Sequence, residues 1–128
     1  MFKSAQELVR EAKQCITEIN LPEWADRLAA PEVLLIDVRE PEEFRAGHIQ
    51  GALNIPRGML EFRISSDPAL QNLGRPLLVY CKTSGRAALA AASLQGMGFS
   101  QVLSLAGGFD AWVADGRPLA RTADVAFG

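Results

Sequence analysis

Leu77-Leu78-Val79-Tyr80-Cys81-Lys82-Thr83-Ser84-Gly85-Arg86 decides how this chain is read. The apolar residues 77–80 have strand length and suit a strand buried on both faces. Residues 82–86 make a short polar loop. The run Ala87-Ala88-Leu89-Ala90-Ala91-Ala92-Ser93-Leu94-Gln95 follows as a helix, alanine being the best helix former. A strand, a tight loop and a helix gather backbone N–H groups and the positive end of the helix dipole around one small space. A cysteine there favours its thiolate, the form that attacks. Only four residues separate Cys81 from Arg86, so the cavity is expected to be small and electropositive.

Working outward, Val33-Leu34-Leu35-Ile36-Asp37-Val38 is a second near-continuous apolar run, again typical of a parallel sheet. Val102-Leu103-Ser104-Leu105 reads as the last strand, with shorter strands expected within 16–19 and near 52–54. Ser4-x-x-Glu7 is a capping box that starts a helix over about 4–14. Pro22 opens a helical segment that Pro31 closes, and Pro41-Glu42-Glu43-Phe44-Arg45 makes a short helical turn ended by Gly47. Short helices are expected over 57–73, with Ser66 or Asp67 as a cap. Gly107-Gly108 is a turn requiring positive φ, and a helix carrying Phe109, Ala111, Trp112 and Val113 follows. Strands and helices alternate, which gives an α/β domain around a mostly parallel sheet. One domain is expected over 1–128: an accessory helix over 1–14, a core over 15–118 and a loosely held tail over 119–128.

The 128 residues are 48% apolar and 22% charged, an ordinary globular balance able to bury a core without a disulfide. A net charge of −2 argues against a large nucleic-acid footprint. No apolar run approaches membrane-spanning length, and the N-terminal residues lack a signal-peptide core, so a cytoplasmic, reducing location is expected. Cys15 and Cys81 fit that location better than a disulfide framework does. One histidine and two distant cysteines cannot supply a zinc site, and no metal or cofactor is expected.

Each residue of interest has a functional and a structural reading. Cys81 is a nucleophile, or a buried strand-end thiol. Lys82 attracts an anionic donor, or is simply solvated. Thr83 and Ser84 donate hydroxyl hydrogen bonds, or only shape the turn, and Gly85 permits the loop's tight path. Arg86 binds an anion or braces the loop carbonyls. Asp37, at the carboxyl end of its strand, is a salt-bridged anchor or part of a site. His48 is the only histidine and so the only partner for a Cys–His pair, although a histidine beside a glycine turn is more often structural. Cys15 reads as a small hydrophobe, with a resolving thiol for Cys81 as the alternative.

Four segments in order carry a resemblance: residues 35–40, Glu43-Phe44-Arg45-Ala46-Gly47-His48-Ile49-Gln50-Gly51-Ala52-Leu53-Asn54-Ile55-Pro56, Val79 to Arg86, and Leu105-Ala106-Gly107-Gly108-Phe109-Asp110-Ala111-Trp112. Together they make the chain resemble a single-domain rhodanese, a sulfurtransferase. The resemblance implies a three-layer α/β/α fold with a five-stranded, mostly parallel sheet. It implies that Cys81 takes a sulfane sulfur from a small anionic donor such as thiosulfate, releasing sulfite. The persulfide is then emptied by cyanide, a thiol or a protein acceptor. The amides of 82–86 would cradle that persulfide, with Asp37, Arg45 and His48 as supporting scaffold. Some loops of the family have arginine after the cysteine; Lys82 keeps the charge without the fork.

Two other classes compete. A cell-cycle-type phosphatase or arsenate reductase has five residues between cysteine and arginine, wide enough for a tetrahedral oxyanion, where this loop has four. A persulfide carrier, or a non-catalytic module that binds a partner protein, is the other; non-catalytic modules often lose the cysteine that is present here.

Overall fold

Five parallel strands in the order β1-β5-β4-β2-β3 run through the centre of the computed structural model, which describes residues 1–121. They are β1 Thr17–Ile19, β2 Leu34–Asp37, β3 Leu53–Asn54, β4 Leu77–Tyr80 and β5 Val102–Leu105. The apolar runs at 33–38 and 77–80 thus lie inside the sheet, as continuous burial on both faces requires. Register places Asp37 opposite Tyr80 and Ile36 opposite Val79, so both central strands end at the same edge.

Helices cover both faces. Leu77, Val79 and Cys81 pack with Ala87, Ala90, Ala91 and Leu94 of α5 (Gly85–Gly96) and with Leu60 and Ile64 of α4 (Leu60–Ser66). Leu78 and Tyr80, pointing the other way, pack with Trp24 of α2 (Leu21–Leu28) and with Phe109 and Trp112 of α6 (Gly108–Ala114). The result is a three-layer α/β/α domain. Four alanines of α5 are fully buried, which lets its backbone lie close to the sheet and bring its first turn against the end of β4.

The N-terminal helix α1 (Ala5–Cys15) starts at the expected capping box: Ser4 Oγ accepts from the Glu7 N–H and the Glu7 carboxylate accepts from the Ser4 N–H. It lies on α5, with Val9 at the start of that helix beside Gly85. Asp67 caps the short 3-10 turn Pro68–Leu70. The segment expected to hang loosely after residue 118 is instead tied down at its start. Ala120 exchanges two 2.9 Å backbone hydrogen bonds with His48, and the Trp112 indole N–H donates to the Pro118 carbonyl. The rest of that expectation, residues 122–128, lies outside the described residues. No helix among the described residues is long and apolar enough to cross a membrane.

Candidate active site

Cys81 follows the last residue of β4, and residues 82–84 carry the chain into α5. The Ala87 N–H, in the first turn of that helix, donates to Cys81 Sγ at 3.3 Å. None of the backbone N–H groups of residues 82–86 makes a hydrogen bond within the described residues. Their direction follows from what holds the opposite side of each peptide. The Cys81 carbonyl accepts from the Phe109 N–H at 2.8 Å, and the Lys82 carbonyl from the Asp110 N–H at 3.0 Å. The peptides are trans, so N–H and C=O of one unit point opposite ways. Drawing the carbonyls of 81 and 82 toward α6 therefore turns the N–H groups of 82 and 83 away from it. Gly108 completes the clamp. Its φ is +57°, and a Cβ there would lie 2.6 Å from the Cys81 carbonyl oxygen, 2.7 Å from that of Lys82 and nearer still to that of Thr83. Only glycine lets α6 approach the loop this closely.

The sulfur is nearly enclosed, with Cys81 1% exposed and walled by Val79, Ala87 and their neighbours. The charges around it differ from the expectation of an electropositive cavity. Lys82 Nζ is committed to the Asp110 carboxylate, at 2.9 and 3.2 Å. Arg86 makes a two-pronged pair with Glu43 of α3 (Pro41–Ala46), at 2.7 and 3.1 Å. The Arg86 hydrogen bonds hold the Glu43 carboxyl at about 2, against the opposing effect of burial. The same bonds raise Arg86. Both loop cations thus face carboxylates, and the amides of 82–86 are left as the loop's donors without protein acceptors among the described residues. Beside the loop lies a groove of about 300 Å³ bordered by Arg39, Glu43, Lys82, Phe109, Asp110 and Leu119.

The scaffold is built on Asp37. Its carboxylate is fully buried and accepts from the Arg39 backbone N–H and from the Arg39 guanidinium. That guanidinium also donates to the Gly47 carbonyl at 2.7 Å and lies over the Phe109 ring, 4.2 Å from its centre. Burial opposes its charge, but the Asp37 hydrogen bond and charge leave it raised overall. Tyr80, opposite Asp37, accepts from the Ile49 N–H, and its phenol is pushed up by burial and by the Asp37 carboxylate. The Asn54 side-chain amide donates to the carbonyls of Asp37 and Arg39.

Asp37 is therefore placed at the sheet edge from which the loop springs. His48 is buried, stacked on Phe44, with Nδ1 2.8 Å from the Phe44 carbonyl; no hydrogen bond joins it to the loop among the described residues. Arg45, expected in the scaffold, is exposed and makes no hydrogen bond or ion pair among the described residues. Arg39 occupies the place expected of Arg45. Sequence reasoning also missed Glu43 and Asp110 as partners of the loop cations. Both stood inside quoted motifs, but neither could be paired with a residue 43 or 28 positions away without the fold. No group of three or more His, Cys, Asp or Glu able to hold a metal occurs among the described residues.

This arrangement can be set beside known proteins. A model of the rhodanese-like domain matches residues 21–115. The chain belongs to the rhodanese-like domain family. A sulfurtransferase of Allochromatium vinosum is 36% identical over 105 residues, covering 81% of this chain and 94% of that protein. The thiosulfate sulfurtransferase GlpE of Ectopseudomonas mendocina is 37% identical over 93 residues, covering 73% and 82%. Among solved structures, a Rhodopseudomonas palustris protein of unknown function, called a possible tyrosine phosphatase, superposes with a TM-score of 0.84 at 31% identity, covering 94% of this chain and 96% of that one. The rhodanese-like match contains the whole of the loop, Asp37, Arg39 and α6. It begins after α1, which lies outside it. Family membership and these relatives make the chain a sulfurtransferase in general terms.

Proposed function

We propose that this rhodanese-like protein moves sulfane sulfur through a persulfide on Cys81, with thiosulfate as donor and cyanide or a thiol as acceptor. The observation that carries the reading is the set of amides at 82–86 without protein acceptors, next to a sulfur that already accepts from the Ala87 N–H. In the first half-reaction the Cys81 thiolate attacks the outer sulfur of thiosulfate. A Cys81 S–S bond forms, the donor's S–S bond breaks, and its electron pair leaves on sulfite. In the second, cyanide attacks the outer sulfur of the persulfide. The new S–S bond breaks, thiocyanate leaves, and the thiolate returns.

In the first step the transferred sulfur carries its negative charge into the loop as the outer atom of the persulfide, and in the second the charge returns to Cys81 Sγ. Fixed donors aimed there act as an oxyanion hole does, where removing one donor costs about a hundredfold or more in rate. The near closure of Cys81 favours a donor whose transferred end is a single sulfur atom over a bulkier one. Four residues between Cys81 and Arg86 leave little room for a tetrahedral phosphate, and Arg86 is already occupied by Glu43. Both points weigh against a phosphatase.

Intact-mass spectrometry after incubation with thiosulfate tests the proposal. The wild type is expected to gain one sulfur atom and lose it to cyanide, and Cys81→Ser to gain none. Loading that survives in Cys81→Ser would move the nucleophile to the exposed Cys15. Rapid hydrolysis of an aryl phosphate that Cys81→Ser abolishes would favour the phosphatase.

A further inference from the structure

The loop is held from a second side. Lys13, in the last turn of α1, donates from Nζ to Ser84 Oγ at 2.7 Å, across 71 positions of sequence. Its carboxylate neighbour, Glu18 of β1, is farther away, at 3.5 Å. Lys82 and Arg86 are each bound by a carboxylate at two points. Of the three cations touching the loop, Lys13 is the one least compensated. An ammonium has three donors, and Lys13 retains capacity for an incoming anion.

The contact also fixes what Ser84 can do. A hydroxyl has one proton and two lone pairs. Here the oxygen accepts from an ammonium, which cannot accept in return, so the Ser84 proton points elsewhere. Ser84 makes no other side-chain hydrogen bond among the described residues, and it caps no amide of α5. Its proton is thus left without an acceptor among the described residues, and the ammonium makes that hydroxyl a stronger donor.

We propose that Lys13, supplied by a helix outside the rhodanese-like match, is a positioning and specificity residue for the donor half-reaction. It orients the Ser84 hydroxyl toward the transferred sulfur and offsets the charge of a dianionic donor at the loop rim. The inference rests on the sulfur-transfer reading above. Its physical need is plain. A thiolate meeting thiosulfate brings three negative charges together beside cations that Glu43 and Asp110 already neutralise. A donor with one charge fewer, methanethiosulfonate, depends less on Lys13. It yields the same Cys81 persulfide when its S–S bond breaks, with methanesulfinate leaving with the electron pair.

The experiment compares wild type, Lys13→Gln, Lys13→Arg, Ser84→Ala and the double variant Lys13→Gln/Ser84→Ala with both donors. Lys3→Gln is the control for a charge just before the same helix, since Lys3 pairs with Glu11 of α1 instead. Lys13→Gln is expected to raise the KM for thiosulfate by about threefold to tenfold, a range set by partial exposure of the pair. The KM for methanethiosulfonate should move by less than half of that factor. Lys13→Arg should restore most of the loss, and Lys13→Gln should cost less when Ser84 is already alanine. A merely structural lysine would shift both donors alike, and that result overturns the inference. So does a Lys13→Gln variant with lowered stability and an unchanged thiosulfate KM. Wild type that loads no sulfur on Cys81 from either donor overturns the sulfur-transfer reading and this inference with it. Normal loading with unchanged KM in Lys13→Gln overturns the inference alone.

Discussion

Gly108→Ala tests whether α6 sets the loop's geometry. Two costs can be separated. A residue with a Cβ at φ +57° is left-handed, which costs about 1–2 kcal/mol. The methyl would also meet three carbonyl oxygens at 2.7 Å or less, so helix and loop must part. Parting them breaks the bonds from the Phe109 and Asp110 N–H groups to the Cys81 and Lys82 carbonyls, at about 1 kcal/mol each. The expected loss is about 3–4 kcal/mol, which leaves an ordinary domain folded. Gly51→Ala is the matched control, because Gly51 has φ +90° and a Cβ added to it would meet nothing within 4 Å. It should show only the backbone cost, about 1–2 kcal/mol. Urea unfolding followed by the fluorescence of buried Trp24 and Trp112 gives both values. Sulfur loading adds the functional readout, with Gly108→Ala at least about a hundredfold slower than Gly51→Ala, as loss of an aligned donor set implies. If Gly108→Ala costs no more than Gly51→Ala, or loads sulfur at the wild-type rate, then α6 does not orient the amides and the derivation of their direction is wrong.

Glu43 has its folded value lowered to about 2, so its contribution is complete above its ordinary 4.5 and is lost as pH falls toward about 2. With side chains about a third exposed (31% and 36%), screening leaves about 1 kcal/mol, and the melting-temperature gap between wild type and Glu43→Gln should narrow between about pH 5 and pH 2. Arg39→Ala strands a fully buried Asp37 carboxylate and should cost about 3–5 kcal/mol in urea unfolding, with Arg39→Lys in between because it keeps the charge and loses the fork. The Ser104 hydroxyl is buried in β5 without a hydrogen-bond partner among the described residues, so Ser104→Ala should be neutral or stabilising by up to about 1 kcal/mol; a clear loss in the same assay would reveal a partner.

The centre of the sheet was legible because β2 and β4 are almost wholly apolar, and burial on both faces leaves such runs no other home. The loop was legible because its residues are contiguous. The Ser4–Glu7 box and the Gly107-Gly108 turn are likewise local chemistry, and both form where their spacing puts them. What escaped was pairing across distance. An arginine at 39 and one at 45 look alike in sequence, and only the turn after β2 decides which lies under the sheet edge and which meets solvent. Electroneutrality escaped for the same reason. Lys82 and Arg86 read as a bare cationic rim until the fold brought Asp110 and Glu43 to them. The start of the tail was misjudged because a backbone bridge such as His48 to Ala120 leaves no mark in side-chain composition.

Electroneutrality has a further consequence for how such a loop can be tuned. If side-chain cations are cancelled by carboxylates, anion binding falls to backbone amides, which no substitution short of proline removes. Only the elements that fix the loop's orientation can then alter it. Two helices do so from opposite faces of the sheet. From one, α6 takes the carbonyls of Cys81 and Lys82. From the other, α1, resting on α5, takes the Ser84 hydroxyl. The two grips differ in kind. Releasing the carbonyls turns whole peptides and disorganises every donor at once, whereas releasing one hydroxyl changes a single donor and one charge. Changes at α6 should therefore act on whether the loop works, and changes on α1 on which donor it prefers. The rhodanese-like match includes the first of these helices and leaves out the second, which is where a core of shared chemistry leaves room for specificity.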